Sequence, residues 1–259
     1  MNAPMKLDEL SAWRLAALSM MDRAQLNALL AANESSQWIE AAAQCGVVEA
    51  QLLIGRKLLE TDAHEAFAWF ARAAANSDAE ALNMLGRCHE NGWGTPKDCA
   101  RAATCYRHAA EKGDVWAQYN LGHLLLDGNG VPRDRNEAFL WYFRAAQQGH
   151  ARAMNLVARC LEEGWGVEPD ARAARNWYRK SAERGYFRGA YNYASILAAE
   201  GCITAAVMWF ERAARDAGDE TRINIMNALA ARREPVLQEL ARKLASHSRD
   251  QVAAAFHSA

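Results

Sequence analysis

One block of sequence returns at nearly constant intervals along this chain and restricts what it can fold into. The block reads Gly-Arg-Cys-His-Glu-Asn-Gly-Trp-Gly at 86–94, and variants of it follow at 122–130 and 158–166. A small residue opens successive units at intervals of 36, 36 and 37 residues: Ala81, Ala117, Ala153 and Ala190. Such a period is typical of solenoids, in which each unit buries its apolar face by stacking on its neighbours.

Each unit contains two helical patterns separated by turn residues. In the third unit, Ala117, Leu121 and Leu125 form one apolar stripe at four-residue spacing. Gly128 follows where a left-handed closing residue is needed, and Asp134 is placed to cap a second helix. We therefore predict an all-α fold built from stacked antiparallel helix pairs.

Charge and cysteine content indicate which classes of partner and which cellular compartment to expect. The chain has 30 basic and 31 acidic residues, and its six cysteines keep no common position in the repeat. Because no basic cluster or 18-residue apolar run stands out, we expect neither nucleic acid nor membrane as a partner. The cysteines are interpreted as reduced, mostly buried thiols, which favours a cytoplasmic protein.

The repeat pattern resembles that of Sel1-like repeats, which are relatives of the tetratricopeptide repeat. It reads Ala-x-x-x-Leu-Gly, then Gly-x-Gly-Val-x-x-Asp, then Ala-x-x-Trp-Tyr-x-x-Ala-Ala-x-x-Gly, and the unit from Ala117 to Gly149 is nearly complete. The resemblance implies a right-handed superhelical α/α solenoid. It also implies a non-enzymatic adaptor or scaffold of bacterial type.

Three regions follow from where the pattern is clear. We predict N-terminal helices and a degenerate leading repeat at 1–45, and about five Sel1-like repeats at 46–218. A degenerate repeat and a capping helix are predicted at 219–259. Terminal repeats are usually atypical because they present one solvated face, so capping is the interpretation for both ends.

Polar and aromatic residues recur at two positions of the first helix in each unit. Asparagine dominates the position two before the Leu-Gly step, and arginine the position just after its glycine. An extended peptide would suit this face, since amides pair with a backbone and guanidiniums with carboxylates. The predicted partner-binding set on the concave face is Arg56, Asn83, Arg87, Trp116, Tyr119, His123, Asn155, Arg159 and Asn192.

Two simpler interpretations of these residues remain open. Arg87 with Glu90, and Arg159 with Glu162, lie three apart and could form intrahelical ion pairs. The asparagines could instead bond between neighbouring repeats. Trp93 and Trp165, in Gly-Trp-Gly loops, are either binding anchors or core residues folded over the helix ends.

Motifs that would indicate chemistry are absent from the sequence. There is no Cys-x-x-Cys, no His-Glu-x-x-His and no Gly-x-Ser-x-Gly, and the Gly-x-Gly loops follow helices rather than strands. We predict no catalytic, cofactor or metal site, and a protein or peptide partner with a monomer favoured. The alternatives are a self-associating protein using segment 235–259 and a regulatory subunit that docks on an enzyme.

Overall fold

The structure is a computed structural model that describes residue 25 and residues 36–257, with side chains described at residue 25 and from 39 to 246. Within these residues the chain forms thirteen helices and no strand. The helices are α1 (Ser36–Gln44), α2 (Val48–Leu58), α3 (Ala63–Ala74), α4 (Ala79–Asn91), α5 (Cys99–Glu111), α6 (Val115–Asp127), α7 (Arg135–Gln147), α8 (Ala151–Glu163), α9 (Ala171–Glu183), α10 (Phe187–Ala199), α11 (Ile203–Asp216), α12 (Asp219–Ala230) and α13 (Pro235–His257).

Backbone packing divides the chain after Asp134 into two compact units. Helices α1 to α6 belong to the first unit and α7 to α13 to the second. Within each unit, helices that follow one another in sequence pack together. The predicted all-α class of helix pairs is confirmed. Apart from α1, the helices predicted within 1–45 lie outside the described residues, and the boundaries at 45/46 and 218/219 stay predictions.

Aspartate caps and closing glycines delimit the helices, and Gly128 closes its helix as the sequence predicts. Asp98 and Asp170 accept hydrogen bonds from the third backbone amide after them, which caps α5 and α9. Gly92, Gly128 and Gly164 close α4, α6 and α8 with φ of 76°, 74° and 68°. Glycine alone adopts this left-handed conformation without a steric penalty.

One aromatic ring from each second helix is fully buried in the core. The fully buried rings at this position are Phe70, Tyr106, Tyr142, Tyr178 and Phe210. A Cβ on Gly86 would lie 2.7 Å from the Tyr106 ring, so glycine allows the two helices to approach closely. Alanines on both helices are equally buried, and the helix pairs therefore pack tightly.

The long loops attach each repeat to the preceding one. A Cβ on Gly94 would overlap the backbone of Ala63 at the start of α3. In the same way, Gly130 lies against Cys99 in the first unit, and Gly166 lies against Arg135 in the second. The linkers between α2 and α3 and between α10 and α11 are short turns. Among the described residues, no helix is long and apolar enough to cross a bilayer.

Candidate functional site

The asparagines of the first helices bond between neighbouring repeats. In the first unit Asn120 Nδ2 donates to Asn83 Oδ1 at 3.1 Å, and in the second Asn192 Nδ2 donates to Asn155 Oδ1 at 3.0 Å. Asn83 and Asn155 are only 5% and 6% exposed. Their amides therefore serve the packing of adjacent repeats, which was the alternative interpretation, and offer little surface to a ligand.

The arginines that follow the glycine step stack on the loop tryptophans. The Arg87 guanidinium carbon lies 5.1 Å from the centre of the Trp93 ring, and Arg159 lies 4.9 Å from Trp165. These distances are typical of cation–π pairs. Trp93 also packs on a core cluster that includes Cys88, so this loop tryptophan folds back over its own helix end.

The intrahelical ion pairs of the alternative interpretation do not form, because the glutamates have other partners. Tyr106 Oη donates to Glu90 Oε2 at 2.6 Å, and Tyr178 Oη donates to Glu162 Oε2 at 2.6 Å. Burial and these bonds raise the pKa of both tyrosines, so each phenol stays protonated and keeps donating.

Arg87 and Arg159 form no ion pair within the described part of the chain. A guanidinium stacked on an indole still has its in-plane N–H groups, which can bind a carboxylate in a bidentate manner. Arg56 differs from them, because it forms an ion pair with Glu80 on the next first helix and is neutralised there.

Three aromatic rings lie side by side on α6. Trp116 and Tyr119 have ring centres 6.3 Å apart at 87°, and Tyr119 and His123 are 4.6 Å apart at 83°. Edge-to-face contacts of this kind orient rings rigidly. Trp116 is 49% exposed, so this aromatic patch (Trp116, Tyr119 and His123) presents apolar surface to solvent.

The aromatic patch is uncharged near neutral pH. Burial lowers the pKa of His123, although the carboxylates of Asp127 and Glu90 act in the opposite direction. A neutral imidazole follows, because desolvation disfavours the charged ring. The patch therefore presents an uncharged aromatic surface, whereas Arg87 in the same unit presents a positive charge.

Only two of the six cysteines, Cys88 and Cys160, are buried, whereas Cys45 and Cys202 are exposed, so the expectation of mostly buried thiols is wrong. No group of three or more His, Cys, Asp and Glu side chains converges among the described residues as a metal site would require. Burial raises the pKa of the Cys88 and Cys160 thiols to about 11, and burial also raises the pKa of Cys105. These thiols stay protonated and unreactive at neutral pH.

Sequence reasoning missed the tyrosine–glutamate hydrogen bond. Its signal was present, because Glu90 and Glu162 are separated by the same two repeat lengths as Tyr106 and Tyr178. In the repeat between them the glutamate position holds Leu126, which hides the pattern. Asn120 was also left out of the predicted set, since its bonding partner lies in another repeat.

Comparison with known proteins places these features in a family. The family model described as Sel1 repeat matches residues 39–78, 79–114, 117–150, 151–186 and 203–217, which is more than half of the chain. An uncharacterised Sel1-like repeat-containing protein of Schizosaccharomyces pombe is 47% identical over 47 residues. That match covers 17% of this chain and only 7% of the length of the yeast relative.

Two solved structures are similar over most of the chain. A Sel1 repeat protein from Oxalobacter formigenes is 26% identical, with a TM-score of 0.73 over 89% of this chain and all of the other. A protective antigen present in uropathogenic Escherichia coli strains, displaying an SLR fold, is 22% identical with a TM-score of 0.70. It is covered over 54% of its length and supports the fold alone.

Proposed function

The chain belongs to the Sel1 repeat family, and on this premise we propose that it is a non-enzymatic adaptor that binds a segment of a partner protein. Sel1 repeats commonly take part in protein–protein interaction. The proposed contact surface is the first-helix face of each unit taken by itself. It is defined by Arg87, Trp116, Tyr119 and His123 in the first unit, and separately by Arg159 in the second. The observation that carries this proposal is the stacking of Arg87 and Arg159 on tryptophans without a carboxylate partner.

The two kinds of contact on this face have separate roles. Each stacked arginine would bind a carboxylate of an extended or helical segment, since its planar group is already oriented by the indole. The aromatic patch would take an apolar side chain, as exposed aromatic residues at interfaces often do. Asn83, Asn155 and Asn192 would hold adjacent repeats at the correct spacing instead of touching the ligand.

The decisive experiment reverses the charge of the two stacked arginines. Arg87→Glu with Arg159→Glu should abolish capture of partner proteins from native lysate, while helical circular dichroism stays unchanged. The matched control is Arg172→Glu with Arg215→Glu, which makes the same charge change at exposed positions outside the face. Capture that is equal for both variants and for the unmodified protein would rule out the first-helix face.

Self-association through α13 is the second candidate. A depression of about 390 Å³ lies between α11 and α13, and its lining includes Val207, Val236 and Leu240. Val236 is 54% exposed and the neighbouring Met208 is 65% exposed. Light scattering tests this candidate: a concentration-dependent dimer that Val236→Asp converts to a monomer would support it, and a monomer at every concentration would exclude it.

Regulation of an enzyme by docking is a third candidate that uses the same face. It would give the same capture result, but the activity of the captured enzyme would change on binding. A cytoplasmic location fits all of these roles, because the six cysteines are free thiols.

A further inference from the structure

The charge at the start of the first helices differs between the two units. The second residue of the helix is Glu49 in α2 and Glu80 in α4, but it is Arg152 in α8 and Arg188 in α10. A cation at a helix N-terminus interacts unfavourably with the helix dipole, whereas a carboxylate there is stabilising. Helix stability therefore does not explain Arg152 and Arg188.

These arginines gather with aromatic rings at one edge of the second unit. A Cβ on Gly149 would lie 2.8 Å from Arg184 Nη1, so the Arg184 guanidinium lies against the turn that precedes α8. Arg152 lies 5.9 Å from the centre of the Tyr186 ring, and Arg188 lies 5.6 Å from that of Phe187. We name this surface, made of Arg152, Arg184, Tyr186, Phe187 and Arg188, the basic turn edge.

The surrounding chain concentrates positive charge at this edge. Residues 179–188 contain four basic side chains, and Glu183 is the single acidic one. Glu183 is engaged by Arg179, whose Nη1 lies 3.7 Å from its carboxylate. Arg184 and Arg188 are exposed and form no ion pair with any residue that the structure describes. Their charge is therefore open to a ligand.

We propose that the basic turn edge is a second docking surface, which binds a short carboxylate-rich segment of a partner protein. It shares no residue with the first-helix face and goes beyond the function proposed for that face. Guanidiniums bind carboxylates through paired N–H groups, and the stacking of Arg188 on Phe187 orients one of them in advance.

The neighbouring charges favour a short acidic segment over a long polyanion. Glu168 and Asp170 precede α9, and the next turn carries Asp216, Asp219 and Glu220. Arg212 connects that turn to the edge, since its Nη2 donates to the Glu183 carbonyl at 3.4 Å while its Nε lies 3.9 Å from Asp216. An extended nucleic acid would meet this acidic border, whereas a segment of a few residues would not.

Fluorescence anisotropy with a synthetic ten-residue peptide of alternating Glu and Gly tests the proposal. The unmodified protein should bind this peptide, and Arg184→Glu with Arg188→Glu should weaken binding at least tenfold. The control pair Arg172→Glu with Arg215→Glu should stay within twofold. Both pairs are also compared in a protein that carries Arg87→Glu with Arg159→Glu, because the first-helix face would bind carboxylates as well. The same peptide with Gln in place of Glu should not bind.

Three results would overturn the proposal. They are no binding of the acidic peptide, equal weakening by the control pair, or tighter binding of a ten-residue thymidine oligonucleotide than of the peptide. A loss confined to Arg87→Glu with Arg159→Glu would assign the acidic segment to the first-helix face instead. The two proposals can therefore fail independently.

Discussion

At the residue scale, asparagine takes different roles at equivalent positions of the repeat. Asn155 is buried and accepts from Asn192 of the next repeat, whereas Asn224, at the position of Asn192 one repeat later, is exposed. Glutamate instead keeps one role, because Glu90 and Glu162 both accept from tyrosines of the second helix and leave Arg87 and Arg159 to the tryptophans. The bonding partner across the repeat decides the role of each side chain.

Replacing Asn192 should therefore cost stability where replacing Asn224 does not. Asn192→Ala removes the donor to Asn155 Oδ1 and leaves a buried acceptor unsatisfied, so the free energy of unfolding should fall by about 1–2 kcal/mol. Asn224→Ala is the matched control and should change it by less than about 0.5 kcal/mol. Urea unfolding followed by circular dichroism measures both, and equal losses would show that the inter-repeat bond contributes nothing.

At the element scale, the Gly-x-Gly loops and the caps connect and delimit the helices. Each long loop brings a glycine with positive φ against the backbone that opens the preceding second helix. The caps are local, because an aspartate, or His150 in α8, accepts a hydrogen bond from the third backbone amide of the helix. Both devices depend on a few residues, and single substitutions test them.

Substitutions at Gly166 and Gly185 distinguish the cost of a strained backbone conformation from the cost of a lost close contact. Both have positive φ, at 71° and 83°, but a Cβ on Gly166 would overlap the Arg135 carbonyl while one on Gly185 meets nothing. Gly185→Ala should cost about 1 kcal/mol from the left-handed conformation alone. Gly166→Ala should cost at least about 3 kcal/mol, because backbone must move as well. Similar losses in thermal unfolding would contradict the packing role of the loop.

The cap of α8 should make the second unit sensitive to acid. His150 Nδ1 accepts from the Ala153 amide at 3.2 Å, where Asp78 and Asp114 cap α4 and α6. Burial, and then the charge of Arg152, lower the pKa of His150 to about 4. The folded state thus favours neutral imidazole, and its stabilisation is complete above pH 6.5 and is lost as the pH falls toward 4.

His150→Asp should remove this part of the acid sensitivity. An aspartate keeps its charge, and therefore its cap, down to about pH 4. Between pH 7 and 4.5 the unmodified protein should lose about 1 kcal/mol more unfolding free energy than the variant, a magnitude limited by solvent at this partly exposed site. Parallel pH profiles for the two proteins in urea titrations would show that the imidazole cap is not responsible.

At the scale of the whole molecule, packing within each unit mainly joins sequence neighbours. In the second unit α7 packs on α8, α8 on α9, α9 on α10 and α10 on α11. Stability in such arrays is approximately a sum of repeat terms and nearest-neighbour terms. A local defect should therefore loosen nearby helices more than distant ones of the same unit.

Hydrogen exchange in the Gly166→Ala variant tests this locality. Amides of α8 and α9, which flank the altered loop, should exchange at least tenfold faster than in the unmodified protein. Those of α12 should change less than threefold, because no long loop ties it to the altered site. Gly185→Ala serves as the control. A uniform acceleration across α7 to α12 would instead indicate that the unit opens as one cooperative block.

The sequence by itself determined the helix pairs, their ends and the repeat length. Apolar stripes, aspartate caps and closing glycines are local signals, and a period near 36 residues requires stacking. Only the tertiary structure decided which polar side chains already form hydrogen bonds within the protein. Asn83 accepts a hydrogen bond from Asn120, and Glu90 accepts one from Tyr106. In both pairs the two residues lie on different helices, and spacing within one helix does not reveal how two helices are aligned. Because those amides and carboxylates bond within the protein, we assign the asparagines to inter-repeat packing, and ligand contact by Arg87 and Arg159 stays a proposal.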